Sequence, residues 1–347
     1  MEKLKTWKSK LIDFWNETVV NKLLILVIIS WIVLAIIFGF TDLAISIAVV
    51  DSDTGLGNFG DKFGEAPGWG LIAIIIMIII AVRISKRNDD IIKQKLPGFI
   101  LAVLGWVAMI IGIAIDSTDL AIYGGAVGIS LLIFILLTLG KDWTNYSKLA
   151  IVIALLGIIN PLLFVQILKY SCGRVRFNSL AAGFTDFTPW ILPPWIFNNG
   201  ESFPSGHTAM GWMFLPLLIL VAKKDKVVEK DTNIILSTLL ILSVIIWGLF
   251  VGTSRVIEGA HYASDVLFAT GMGAVTTILL YKYYYLREDD FKFIEKLKNR
   301  SKSIKVKKKP KKVNNVIDGY DAQKDLNELS REVVEKYESM ELDDNFP

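Results

Sequence analysis

The stretch from Gly252 to Asp265, GTSRVIEGAHYASD, sets Ser254, Arg255, His261 and Asp265 between two long apolar runs. If the helix that follows extends back to His261, the imidazole and the Asp265 carboxylate, four residues apart, share one helix face. A carboxylate beside an imidazole fixes its tautomer and stabilises the cation formed when the other nitrogen attacks or takes a proton. Arg255 adds a permanent, forked positive charge suited to a phosphate-like anion. The competing reading is ordinary decoration of a helix end, yet ionisable groups at the rim of a membrane segment are functional by default.

Two more clusters have the same character. KYSCGRVR places Lys169, Arg174 and Arg176 directly after an apolar run, on the side of the membrane where cations are disfavoured. An anionic ligand is one reason for such a violation, and pairing with Asp186 or Glu201 is another. FPSGHTAM opens a further apolar run with Pro204, Ser205, Gly206 and His207. Proline and serine suit the first turn of a helix, and Gly206 lets backbone N–H groups approach a ligand closely. Such a helix start offers unpaired donors and a partial positive charge to phosphate, although a plain helix cap would look similar. Both histidines of the chain fall at span mouths on one face of the membrane, so the joint pattern is more specific than any of its parts.

The elements that must position these groups are membrane helices. Of the 347 residues 53% are hydrophobic, and the mean hydropathy is +0.50. These values define a polytopic membrane protein, and the single cysteine, Cys172, excludes an internal disulfide. Apolar runs cover Leu23–Phe40, Trp69–Val82, Phe99–Ile115, Ala121–Leu139, Leu149–Leu168, Thr208–Ala222, Ile234–Val251 and Val266–Leu286. With flanking residues each meets the roughly 20 helical residues that a hydrocarbon core requires. The fold class is therefore all-α, a transmembrane bundle of about eight spans, the second and sixth being the shortest. An interfacial helix is expected over Leu43–Val50, inside an acidic loop from Thr41 to Gly68 that holds Asp42, Asp51, Asp53, Asp61 and Glu65.

Lysine and arginine crowd the connections at 83–95, 141–148 and 223–230, which makes these and both termini cytoplasmic by the positive-inside rule. All three clusters then lie on the extracytoplasmic side. The first 21 residues read as an amphipathic start, followed by a retained signal anchor. A basic run over Lys292–Lys312 fits attraction to anionic inner-leaflet lipid or a solvated linker, and no nucleic acid is expected as a partner. Ala322–Met340 reads as a charged helix.

Lys169 with Arg176 seven residues on, PSGH at 204–207, and Ser254-Arg255 followed by His261 and Asp265 together resemble the three-part signature of the type 2 phosphatidic acid phosphatase superfamily. The superfamily spans membrane lipid phosphatases, soluble acid phosphatases and vanadium haloperoxidases. The likeness runs from about Leu149 to Leu286. It departs at Phe177, where the family usually has proline, a change that bears on loop geometry and leaves the charges in place.

The resemblance implies a six-helix phosphatase core, with His261 as the nucleophile, Asp265 orienting it, and His207 as general acid and then base. Lys169, Arg176, Ser205, Gly206 and Arg255 would hold the phosphoryl oxygens. Three fixed cations can supply the charge that phosphoryl transfer needs, so neither a metal nor another cofactor is expected. The domains would be a cytoplasmic segment at 1–22, a transmembrane phosphatase domain at 23–286 with its core at about 149–286, and a cytoplasmic tail at 287–347.

The expected substrate is a lipid phosphate or diphosphate: phosphatidate, phosphatidylglycerol phosphate or undecaprenyl diphosphate. The aromatic loop from Phe177 to Phe203 would sit over the site at headgroup level. A haloperoxidase would use the same cage in a soluble protein. A non-enzymatic lipid-binding or transport protein would usually have lost a catalytic group. The residues lean towards a bacterial source and say nothing of oligomeric state.

Overall fold

A computed structural model describes residues 19–85, 91–195, 201–222 and 234–286. The amphipathic start, the loop at 223–230, the basic run and the charged segment at 322–340 lie outside the described residues. The chain divides into a unit ending at Tyr284 and a second from Tyr285, of which only two residues are described.

The protein is all-α, with no strand among the described residues. Its helices are α1 (Val19–Val49), α2 (Gly55–Phe63), α3 (Ala66–Ser85), α4 (Ile91–Ala114) and α5 (Thr118–Leu137). Next come α6 (Ser147–Gly157), a π-helical stretch at Ile158–Val165 containing Pro161, and α7 (Gln166–Cys172). α8 (Gly206–Val221), α9 (Ile234–Ile257) and α10 (Ala263–Tyr281) complete the set. Seven helical segments are long and apolar enough to cross a membrane, as befits a multi-pass membrane protein. The sixth expected span falls on α8, the shorter apolar helix, whereas the second, α3, joins α2 in a segment of 31 residues.

The acidic loop after the first span is largely helical. α1 runs on through Leu43 to Val49, so the expected interfacial helix is the last two turns of the first span, with Asp42 buried inside it. Thr54 then caps α2 by accepting a hydrogen bond from Gly57 N at 3.2 Å. α2 lies against α9, and the absence of a side chain at Gly60 allows it: a Cβ there would stand 1.9 Å from Ser254 Oγ.

Small residues elsewhere set the same close contacts. α1 packs along α10, where Gly271 faces the indole of Trp31, and Gly248 of α9 faces the Trp212 ring. The hairpin of α4 and α5 packs backbone to backbone through Gly105, Gly124 and Gly128, and its other face meets α3. Without a hydrophobic gain between helices in lipid, such close approach is what holds a bundle together. Many leucine and isoleucine side chains on α1, α4, α5 and α9 point outward, as helices surrounded by acyl chains require.

Candidate active site

Three segment ends meet at one end of this bundle. α7 stops because Gly173 adopts a left-handed conformation (φ 65°), turning the chain so that Arg174 and Arg176 follow as extended residues. α8 begins at Ser205, whose hydroxyl accepts from Thr208 N at 3.3 Å and Thr208 Oγ1 at 2.8 Å, leaving its own proton to be donated. α9 ends just past Arg255, and a turn with Gly259 at φ 77° brings His261 back so that its N–H reaches the Arg255 carbonyl at 3.1 Å.

His261 is almost wholly buried, 1% exposed. Its Nδ1 lies 2.5 Å from the Ser202 carbonyl and 3.6 Å from Asp265 Oδ2. A carbonyl can only accept, so Nδ1 carries the proton and Nε2 presents a lone pair. The expected direct carboxylate–imidazole bond is thus relayed: Ser202 Oγ donates to Asp265 Oδ2 at 2.5 Å while the Ser202 carbonyl holds the ring. Burial pulls the His261 imidazole down to about 4, with Asp265 opposing and Lys169 and Arg255 adding to the fall. It is therefore neutral at pH 7.

Asp265 is held on all sides. Tyr262 N donates to Oδ2 at 2.9 Å, and Arg174 Nη1 to Oδ1 at 2.6 Å. Arg174 also binds Asp42 Oδ2 at 2.8 Å, Ser264 Oγ at 2.8 Å and the Thr188 carbonyl at 2.9 Å, with its guanidinium 3.9 Å from the centre of the Tyr262 ring. The middle cation of KYSCGRVR thus serves two buried carboxylates, whereas Arg176 pairs with Glu201 at 3.2 Å. Phe177, where proline was expected, stacks on Phe184 and meets Tyr262 edge on, while Asn178 N donates to the Gly259 carbonyl at 3.0 Å. The aromatic loop also reaches α1, where Trp190 Nε1 donates to the Ala35 carbonyl at 2.8 Å.

The remaining predicted residues lie around the other side of the site. A Cβ on Gly206 would stand 3.9 Å from Lys169 Nζ, and Lys169 in turn interacts electrostatically with Arg176 and Asp265. Arg255 Nη1 contacts Asp61 Oδ1 at 2.6 Å and also Glu258. His207 lies with Nδ1 3.2 Å from Glu65 Oε1 and Nε2 3.1 Å from the Asp61 carbonyl. Arg176 Nε and Arg255 Nε are buried and have no hydrogen-bond partner among the described residues. Two orphaned guanidinium donors at one site are what an anion would satisfy.

Asp42, Asp61, Glu65, Arg174, Ser202 and Glu258 were absent from the predicted set. The available hint was Asp61 and Glu65, four residues apart in a connection assigned to the same side as both histidines. Asp42 gave no such hint, because nothing local separates a carboxylate that ends a span from one buried in it.

Fold and site define a polytopic membrane protein with a cation-rich pocket flanked by two imidazoles. Residues 147–289 match the family model of the PAP2 superfamily. Over 100 residues it is 29% identical to phosphatidylglycerophosphatase B of Haemophilus influenzae, an alignment covering 27% of this chain and 39% of that protein. No solved structure matches the chain.

Proposed function

We propose that the protein is a membrane phosphatase that removes phosphate from a lipid phosphate monoester or diphosphate through a phosphohistidine intermediate. The observation that carries this reading is the convergence of Lys169, Arg176 and Arg255 with the Nε2 lone pair of His261, while two guanidinium donors stand unpaired. Lys169, Arg176, Arg255, the Ser205 hydroxyl and the Gly206 N–H bind the phosphoryl oxygens. The His261 Nε2 pair then forms the P–N bond as the P–O bond to the leaving group breaks. The proton on His207 Nε2 goes to the departing oxygen.

In the second step His207 takes a proton from water, the water oxygen bonds phosphorus, and the P–N pair returns to His261. Asp265 holds the ring through Ser202 and stabilises the positive charge that develops on it. Fixed cations supply what phosphoryl transfer demands, so turnover is expected to be metal-independent. The cytoplasmic assignment of the Lys-rich connections puts the site on the extracytoplasmic side, at headgroup level.

Detergent-solubilised protein should release phosphate from at least one of phosphatidate, phosphatidylglycerol phosphate and undecaprenyl diphosphate in the presence of EDTA. Alkali-quenched reactions with radiolabelled substrate should trap a base-stable, acid-labile phosphoenzyme that is missing in His261→Ala. Full activity in His261→Ala would sink the assignment of the nucleophile, and silence on the whole panel would sink the function.

A further inference from the structure

His207 has a carboxylate of its own, contributed from 142 residues away, and its geometry fixes which nitrogen holds a proton. The Asp61 carbonyl, 3.1 Å from Nε2, can only accept, so Nε2 carries a hydrogen. On the other side Nδ1 faces Glu65 Oε1 at 3.2 Å, an arrangement that needs one shared proton between imidazole and carboxylate. Glu65 is itself oriented, because Trp69 Nε1 donates to its second oxygen at 3.4 Å. Indole, carboxylate and imidazole form a chain ending on the Nε2 proton, and a Cβ on Gly206 would stand 3.9 Å from Lys169 Nζ and 4.0 Å from Glu65 Oε1.

We propose that Glu65 is the positioning residue of the acid histidine, holding the His207 ring by Nδ1 and keeping the proton available that Nε2 delivers to the leaving oxygen. This rests on the phosphatase reading above and adds to it a second carboxylate–histidine pair. The groups around His207 are Asp61 and Glu65 from the α2–α3 segment, Lys169 from α7, Arg255 and Glu258 from the end of α9, and His261 with Asp265 from the turn into α10. Arg176 and Glu201 flank Lys169. Burial first, then Arg255 and His261, pushes the imidazole towards its neutral form, and Glu65 is the carboxylate in direct contact that opposes this and favours the positive ring. When the bond to phosphorus breaks, the electron pair on oxygen takes the Nε2 proton and the Glu65 charge stays paired across Nδ1. In the hydrolytic step that follows, the same nitrogen recovers a proton from water.

The leaving group provides the test. A lipid alkoxide needs that proton, whereas p-nitrophenolate leaves readily without it. Values of kcat/KM report only the steps through departure of the leaving group, so they isolate the acid role. Glu65→Gln in the full chain should lower kcat/KM about 10- to 100-fold for phosphatidate or phosphatidylglycerol phosphate, whichever the wild type cleaves faster. For p-nitrophenyl phosphate the loss should stay below about threefold, because the cage itself is untouched. The basic limb of the lipid profile should move about one pH unit lower, since a carboxylate beside an imidazole favours its protonated form. Glu65→Asp should restore part of both effects.

Equal losses on the two leaving groups with an unmoved basic limb would overturn the proposal and leave Glu65 as packing. Should Glu65→Gln fail to fold by size exclusion, Trp69→Phe removes the orienting donor and should show the same selectivity at about threefold. Equal effects there would overturn it as well. If the wild type releases phosphate from none of these esters, the phosphatase function falls first.

Discussion

His261 and His207 face one pocket from opposite kinds of surroundings. His261 is sealed in, its Nδ1 on a backbone carbonyl and its carboxylate locked by an arginine that is itself 1% exposed. The His207 side chain is 22% exposed, and its carboxylate comes from the acidic segment before the second span. Burial suits a group that must stay neutral and aim a lone pair, because desolvation disfavours the charged ring. A rim suits a group that must exchange protons with leaving group and water. In the proposed mechanism the two histidines divide the chemistry by their environments as well as by their positions in the motifs.

The sharpest way to break that division is to remove each ring. His261→Ala should lose at least about 10⁴-fold in kcat/KM on every substrate, since nothing replaces the bond it forms. His207→Asn should lose about 10²- to 10⁴-fold on a lipid phosphate. With p-nitrophenyl phosphate it should instead accumulate phosphoenzyme, visible after alkaline quench, because the first step proceeds and the water-activating step does not. Equal behaviour of the two variants on both esters would erase the distinction.

A second test strikes the buried side alone. Arg174→Leu leaves Asp42 and Asp265 facing each other without a cation, at a cost of about 3–5 kcal/mol. A large drop in melting temperature in detergent is expected, and Asp42→Asn added to it should recover part of the loss. No change in melting would mean that the network contributes little.

pH probes the buried ring more gently. His261 in the fold binds its proton only near pH 4, while in the unfolded chain it does so near 6.5. Between those values the unfolded state holds more protons, so on this account stability falls as pH drops from 6.5 towards 4. The acid limb of kcat/KM should likewise lie well below 6.5, and a limb at 6.5 would contradict the buried neutral ring.

The smallest effect is expected at Gly60→Ala, whose methyl must push α2 off Ser254 and with it Asp61 off Arg255 and His207. A cost of about 1–3 kcal/mol and a few-fold fall in lipid kcat/KM should appear without any shift of the acid limb.

Several parts of this architecture were legible because they are local. Apolar runs long enough to span announce themselves, and His261 and Asp265 stand a fixed four residues apart whatever surrounds them. Chain ends such as Ser205 and Gly206 carry their own capping chemistry. Arg174 and Arg176 were not separable in that way. They are two residues apart in one extended stretch of chain, and only the packed neighbours decide that one meets two buried carboxylates and the other the exposed Glu201.

Residue types and spacing alone determined that this chain is a helical membrane protein with two imidazoles and a set of cations at helix mouths. Tertiary structure decided which acids those cations and imidazoles meet. Asp42 reaches Arg174 across 132 positions and Glu65 reaches His207 across 142, and contacts at such separations depend on how whole helices pack. Burial, complete for one ring and partial for the other, is likewise a property of the assembled bundle and of no single segment.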